Sequence, residues 1–294
     1  MNYPYDITFI TINYNGFAET AELIGSLRQV VRSVSYEVIV VDNHSLHEEG
    51  RRLQEAFPQV TVICNDSNLG FAGANNVAVP RAQGRYLFFI NNDTLVEEDH
   101  FDQLIQHIEA NERMGLICPK LRFSWDNRPI QFAGFTPLSR ITLRNAAIGY
   151  GEEDKGQHDQ PSPTPFAHGA AMMARREMIH KAGLMWEGYF LYFEEMDWSE
   201  QIRRSGYEIG YDPCQTVFHK ESKTIGTGSP VKHYYMTRNR LLFAQRNRKG
   251  LTRLLCYAYL TFVSLCIHLP HLLFQGMKPQ ASSVWRGIKD FYTA

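Results

Sequence analysis

Between residues 7 and 90 the chain alternates short β-branched runs with stretches of helical spacing, and each β run ends in a cluster of amides and carboxylates. Ile7 to Ile12, Glu37 to Val41, Val60 to Cys64 and Tyr86 to Ile90 read as strands, while Ala18 to Val31, Glu48 to Phe57 and Ala72 to Ala82 read as helices. Strands that alternate with helices need crossover connections between parallel neighbours. The pattern therefore predicts an α/β domain whose mostly parallel sheet is covered on both faces. In such a sheet the strands end on one edge, where ligands of open α/β folds collect.

The residues at that edge form a consistent set. Asn13-Tyr14-Asn15-Gly16 follows the first strand, Asp42-Asn43-His44-Ser45 the second, the Asn- and Gly-rich stretch 65–76 the third, and Asn91-Asn92-Asp93 the fourth. Turns and helix caps favour the same residue types, so any one cluster is explicable without a ligand. Four at one edge point to a ligand. No phosphate-binding G-x-x-x-x-G-K-[ST] loop is present, and Gly70 with Gly73 does not make the G-x-G-x-x-G of dinucleotide enzymes, which disfavours P-loop hydrolysis and nicotinamide redox chemistry.

With 294 residues, 44% of them hydrophobic, the chain can bury one large core or two fused smaller ones. Its first residues lack the basic and apolar regions of a cleaved export signal, which leads us to expect a cytoplasmic protein. The cysteines at 64, 118, 214, 256 and 266 are scattered without a C-x-x-C pair, so they suggest buried thiols rather than a disulfide framework or a thiolate zinc site. The net charge of -1 conceals an asymmetry: residues 222–289 contain no Asp or Glu but eleven Lys and Arg. That quarter suits phosphates or an anionic membrane surface, and nothing suggests a nucleic-acid partner.

Five stretches carry a family resemblance: VVDNHS (40–45), NLGFAGANN (68–76), FFINNDT (88–94), FLYFEEMDWSEQIRRSGY (190–207) and VFHKES (217–222). In this order they resemble the inverting family 2 glycosyltransferases of the GT-A fold, in the bacterial rhamnosyltransferase-like branch. The resemblance implies a Rossmann-like, mostly parallel central sheet flanked by helices, with a C-terminal helical extension. It implies a nucleotide-sugar half over residues 1–115, an acceptor half with the catalytic base over 116–221, and a lid with basic and apolar helices over 222–294. It further implies a dTDP- or UDP-sugar donor, a saccharide or lipid-linked glycan acceptor, and a divalent Mn²⁺ or Mg²⁺.

Residue by residue, the resemblance puts Asp42 at the base or ribose of the donor, beside Asn13, Asn68, Gly70, Asn75 and Asn92. Small residues at 70, 72 and 73 allow close backbone approach, and amides and carboxylates satisfy a base edge and ribose hydroxyls. Asn91-Asn92-Asp93 stands where the family has D-x-D, so Asp93 is the expected metal carboxylate and Asn91 offers only a neutral oxygen. His219 is the expected second ligand, and imidazole suits Mn²⁺ better than Mg²⁺. Glu194-Glu195-Met196-Asp197 corresponds to the family's E-D-x-D, which makes Glu195 the expected general base with Glu194 as its rival. Three carboxylates in four residues could equally head a helix and favour its dipole. Gly169, Ala170, Trp186, Glu187 and Asp197 are expected around the acceptor, and Arg238 at the donor diphosphate.

Two further expectations concern the C-terminal quarter. The glycines of the loop 222–229 suggest a lid over bound donor. Leu251 to Phe274 is apolar but interrupted by Arg253, His268, Pro270 and His271, so an interfacial helix pair on the inner membrane face is expected rather than a crossing, with a core-packing helix or a dimer interface as the alternative. The first-choice donor is dTDP-rhamnose, with UDP-hexoses next. A sugar nucleotidyltransferase is the alternative from another class, disfavoured because residues 13–16 carry no basic group; a non-catalytic sugar-nucleotide-binding module is the third.

Overall fold

The computed structural model describes residues 3–221 and 228–293. Its first half runs β1 (Tyr5–Asn13), α1 (Phe17–Val30), β2 (Tyr36–Asp42), α2 (Glu49–Ala56), β3 (Thr61–Cys64), α3 (Gly70–Ala78) and β4 (Gly84–Ile90). Every expected strand and helix is present, with ends displaced by a few residues. The largest displacement is the end of α3, at Ala78 rather than Ala82; its start moves to Gly70, whose φ of +71° turns the chain directly from the β3 loop into the helix.

The second half adds β5 (Thr94–Leu95), α4 (Phe101–Glu109), β6 (Met114–Phe123), β7 (Ile130–Phe132), β8 (Ser162–Pro163), β9 (Ala171–Arg175), α5 (Arg176–Ala182), α6 (Glu194–Arg204) and β10 (Glu208–His219). One ten-stranded sheet results, in the order β3-β2-β1-β4-β9-β6-β10-β5, with β7 beside β6 and β8 beside β10. Strands β1 to β4 are mutually parallel, but β9 enters antiparallel between β4 and β6. Its start, at Ala171 opposite Ile90, therefore lies at the carboxyl edge of β4. Gly169 and Ala170 are thus delivered to the same edge as Asn91 to Asp93.

The core beneath that edge is aromatic and aliphatic. Phe9, Phe88 and Phe101 meet with centroids 5.2–5.4 Å apart, joining β1, β4 and α4. On the opposite face Phe89 packs edge-on to Trp198 of α6 at 5.7 Å, and the Trp198 indole N–H donates to Gly183 O at 2.9 Å. A buried tryptophan with its N–H satisfied fixes where the N-terminus of α6 stands.

Helices α7 (Pro230–Asn247), α8 (Gly250–Val263), α9 (Leu269–Phe274) and α10 (Lys278–Thr293) complete the chain. Here the structure corrects the expected helix pair. Residues Gly250–Phe274 form one continuous run of 25 residues, α8 joining α9 through a π turn at Ser264–His268. Pro270 would clash with the carbonyl four residues back in a regular α-helix, and the wider turn immediately before it absorbs the misfit without a break. The run is long and apolar enough to span a membrane, and only 22% of its most apolar stretch is buried. A second hydrophobic cluster, including Tyr189, Phe193, Leu241, Phe243 and Leu260, ties α7 and α8 to the loop that precedes α6.

Candidate active site

Register explains how the site assembles. Asn13 lies opposite Asp42, and Asp42 opposite Cys64, so the ends of β1, β2 and β3 are level. Asp42 Oδ1 accepts from Asn13 Nδ2 at 2.8 Å, and the same amide reaches Ser45 Oγ at 3.0 Å and Glu49 Oε2 at 2.9 Å. Thr20 Oγ1 donates to Asn13 Oδ1 at 2.7 Å. With its amide engaged on both sides and no exposed surface, Asn13 stands behind the edge and orients Asp42 and Glu49.

The wall formed by the 68–76 stretch has its own network. Asn68 Oδ1 accepts from Asn43 Nδ2 at 2.9 Å and from Gly70 N at 2.9 Å, while Asn43 Oδ1 accepts from Asn65 Nδ2 and Leu69 N, each at 3.0 Å. Asn43 and Asn65 were read from the sequence only as polar strand ends, without this role; a buried amide such as Asn43 at the end of a buried strand is a signal of such a network. Asn75 is buried and donates to Phe71 O in its own helix at 3.1 Å, and its neighbour Asn76 reaches Met185 O at 2.8 Å and Glu187 Oε1 at 2.9 Å. Asn92 brackets the start of α1, donating to Thr20 Oγ1 at 3.0 Å and to Gly16 O at 3.5 Å.

Asp93 and His219 do meet. Antiparallel pairing sets His219 opposite Thr94, and His219 Nε2 lies 3.1 Å from Asp93 Oδ1, both groups being buried. On its other side His219 Nδ1 is 2.9 Å from Gln131 Oε1. Gln131 therefore orients the ring. An imidazole nitrogen and a carboxylate oxygen at this spacing are ligand types that a divalent ion takes, so the pair fits such an ion. Asn91 is held by its backbone: its N–H donates to Ala170 O at 2.9 Å and its carbonyl accepts from Thr94 Oγ1 at 2.7 Å. The nearby His168 is half-buried and neutral, its pKa lowered to about 3 by desolvation and by the proximity of His219. A separate group, His107, Asp212 and Cys214, has ligand atoms within 4.8 Å of one another, away from this edge. Burial and Asp212 raise the Cys214 pKa and keep it a thiol, while His107 is satisfied by Asp212 at 2.6 Å.

The carboxylates expected to be catalytic head α6. Glu194 is sealed from solvent, and its Oε1 has no hydrogen-bond partner among the described residues. Burial first, and then the charge of Glu195, hold its pKa well above the usual range. Glu195 is half-buried and its pKa is also raised by desolvation. A Cβ placed on Gly169 would stand 3.6 Å from Phe71 Cζ and 3.9 Å from Glu195 Cδ, so Glu195, the 169–170 strand entry and the first turn of α3 are neighbours. Asp197 is committed elsewhere. Buried completely, it is held by Arg246 Nη2 at 3.0 Å and by Asn247. Trp186 carries the Arg246 guanidinium 4.0 Å over its ring.

The loop before α6 is strained. Phe190, Tyr192 and Phe193 have φ values of 69°, 69° and 78°, although none is glycine. It is held from α7, where Asn239 Nδ2 donates to Tyr189 O at 3.0 Å, Leu191 O at 2.7 Å and Tyr192 O at 3.0 Å. Arg238 Nη2 reaches Gly188 O at 3.1 Å and Tyr189 O at 2.7 Å, so the arginine expected at the diphosphate grips this loop. Gly70 touches the loop from the other side: a Cβ there would fall 2.2 Å from Phe190 O, which also accepts from Phe71 N at 2.9 Å. The lid expectation falls mostly on residues 222–227, outside those described.

A mixed α/β sheet with polar strand ends, a carboxylate–imidazole pair and a carboxylate-headed helix is the GT-A arrangement. The glycosyl transferase family 2 model matches residues 8–183, and the chain belongs to that family. Among curated relatives it is 24% identical over 216 residues to the low-salt glycan biosynthesis hexosyltransferase Agl10 of Haloferax volcanii, covering 72% of this chain and 66% of that one. It is 21% identical over 216 residues to an N-acetylglucosaminyl-diphospho-decaprenol L-rhamnosyltransferase of Mycobacterium tuberculosis, covering 67% of this chain and 70% of that one. The chain thus spans about two thirds of the length of these curated relatives. Among solved structures, the mannosyltransferase PcManGT of Pyrobaculum calidifontis, in complex with GDP-Man and Mn²⁺, superposes with a TM-score of 0.58 at 16% identity, covering 99% of this chain and 88% of that one.

Proposed function

We propose that this chain is an inverting, metal-dependent glycosyltransferase of cell-surface glycan synthesis that moves a sugar from a nucleotide donor to a hydroxyl of a saccharide or lipid-linked glycan. The observation that carries this is Glu195: a half-buried carboxyl of raised pKa at the head of α6, set beside Gly169 at the sheet edge that also bears Asp93. Its ionised form accepts the proton of the acceptor hydroxyl as that oxygen attacks the anomeric carbon. The bond from that carbon to the diphosphate breaks and its electron pair leaves with the nucleotide, so one displacement inverts configuration. A Mn²⁺ or Mg²⁺ held by Asp93 and His219 would neutralise charge on the leaving diphosphate. Burial and the neighbouring Glu195 both raise the Glu194 pKa, which favours its neutral form beside the base.

Asp42, Asn68 and the Gly70 turn receive the nucleotide in this assignment, which gives residues 1–115 to the donor and 116–221 to the acceptor and base. L-Rhamnose from dTDP-rhamnose is the first-choice donor, supported by the mycobacterial relative, and UDP-hexoses come next. The apolar exposed side chains Leu251, Leu254, Phe262 and Phe274 support peripheral attachment to the inner face of the cell membrane. The test is release of nucleoside diphosphate from dTDP-rhamnose, UDP-hexoses and GDP-mannose with Mn²⁺. Glu195→Gln should lower turnover by about 10²–10⁴-fold while leaving donor binding measurable. Near-parental turnover in that variant would remove Glu195 from the mechanism.

A further inference from the structure

On the side of α7 facing away from the catalytic loop lies a cavity of about 300 Å³, at the lower end of the ~300–1,000 Å³ range of small-ligand sites. Helix periodicity separates the two sides. His233, Met236, Thr237 and Arg240 recur at spacings of three and four and line the cavity, whereas Arg238 and Asn239 hold the loop before α6. The remaining walls come from α8, the π turn, α9 and α10.

Six basic residues line this space, Arg144, Lys232, His233, Arg240, His268 and His271, and no Asp or Glu does among the described residues. The sequence itself offers none between 222 and 289, and Asp290 of α10 is engaged by the Tyr234 hydroxyl at 2.7 Å. Arg240 is the least compensated of the six. Its Nε is buried without a hydrogen-bond partner among the described residues, and no carboxylate pairs with it. A guanidinium stays charged at physiological pH, and a half-buried one with no carboxylate beside it is poorly compensated. Mutual repulsion is visible at the mouth, where burial first and then Arg240, Arg144 and the neighbouring histidines depress the His268 pKa. Part of the lining is a π turn, an uncommon element often found at functional sites, and it puts His268 at the rim.

We infer that this cavity is an anion site for a phosphate group, distinct from the donor site, with the Arg240 guanidinium as its floor and Lys232, Arg144 and His268 as its rim. Phosphate supplies the acceptor oxygens that a guanidinium fork and an ammonium lack here. The source is a soluble phosphate or the headgroup of a phospholipid, since the cavity wall continues into the exposed apolar helix Gly250–Phe274. The site does not depend on the glycosyl transfer proposed above.

The experiment uses the full chain with EDTA, which removes divalent ions from the Asp93–His219 pair. Inorganic phosphate is titrated calorimetrically, and co-sedimentation is measured with phosphatidylcholine vesicles, with and without phosphatidic acid. The parent should bind phosphate, or prefer the phosphatidic acid vesicles, and Arg240→Met should weaken that binding about tenfold or more. Arg253→Met, outside the cavity, should change neither. Loss of an uncompensated cation should leave the melting temperature of Arg240→Met at or above the parent's, which separates lost binding from lost fold. Binding of phosphate in solution identifies a soluble source, and a response to phosphatidic acid alone identifies a headgroup. If the parent binds neither probe, or Arg240→Met binds as the parent does, the inference is overturned.

Discussion

Asn239→Ala tests whether the strained loop before α6 is held from α7. The Asn239 amide is fully buried and faces three carbonyls, of Tyr189, Leu191 and Tyr192, at 2.7–3.0 Å. An amide has two N–H groups, so the three acceptors share them; at about 1 kcal/mol each, alanine forfeits about 2 kcal/mol, and unsatisfied carbonyls add roughly another 1. Phe190, Tyr192 and Phe193 together store several kcal/mol at about 1–3 each, and that strain is released when the loop lets go. Loop relaxation therefore becomes the favourable outcome, ahead of global unfolding. A loss of about 3 kcal/mol in loop order corresponds to roughly 10²-fold in the population that presents Glu195 correctly. The assay is nucleoside diphosphate release, with kcat and KM measured separately alongside a thermal melt. We expect kcat to fall by about 30–100-fold with a melting shift of only a few degrees. A variant with parental kcat would show that the loop keeps its shape without Asn239, and the accounting above would be wrong.

Gly70→Ala should destabilise the protein by more than about 1–2 kcal/mol and weaken donor binding, because the new Cβ meets Phe190 O at 2.2 Å in a left-handed backbone; a melt within a degree of the parent's would contradict this. Glu194→Gln should stabilise the fold increasingly as pH rises. Below the usual carboxylate pKa both states of the parent are protonated; above it the unfolded chain ionises first, and stability is lost up to the raised folded pKa. Parallel melts from about pH 4 to 8 would show the gap widening, and a gap independent of pH would mean that Glu194 is not buried in its neutral form. Asp93→Ala should abolish Mn²⁺-dependent turnover and reduce Mn²⁺ binding measured by calorimetry, whereas equal binding in parent and variant would separate Asp93 from the metal.

Much of the site was legible in sequence because its parts are local. Strand runs buried on both faces end abruptly in polar residues, so Asp42 and Asp93 could be placed at one edge from periodicity alone. Glu194 and Glu195 announce a helix start for the same local reason. The partners that fix these groups were not legible. Gln131 reaches His219 across 88 positions, and Asn239 reaches the 189–192 carbonyls across 47–50, contacts that exist only once β7 is laid beside β6 and α7 is packed on the second hydrophobic cluster. The antiparallel entry of β9 was equally hidden, because strand propensity carries no direction.

The amino-acid sequence by itself determined the alternating sheet, its polar edge and a basic C-terminal quarter, since each follows from period, residue type and charge along the chain. Tertiary structure decided the rest. It committed Arg238 to the loop and Asp197 to Arg246, carried the 250–274 helix past Pro270, and gathered basic residues from two helices, a turn and the 144 loop around one cavity, because burial and charge compensation depend on which faces meet.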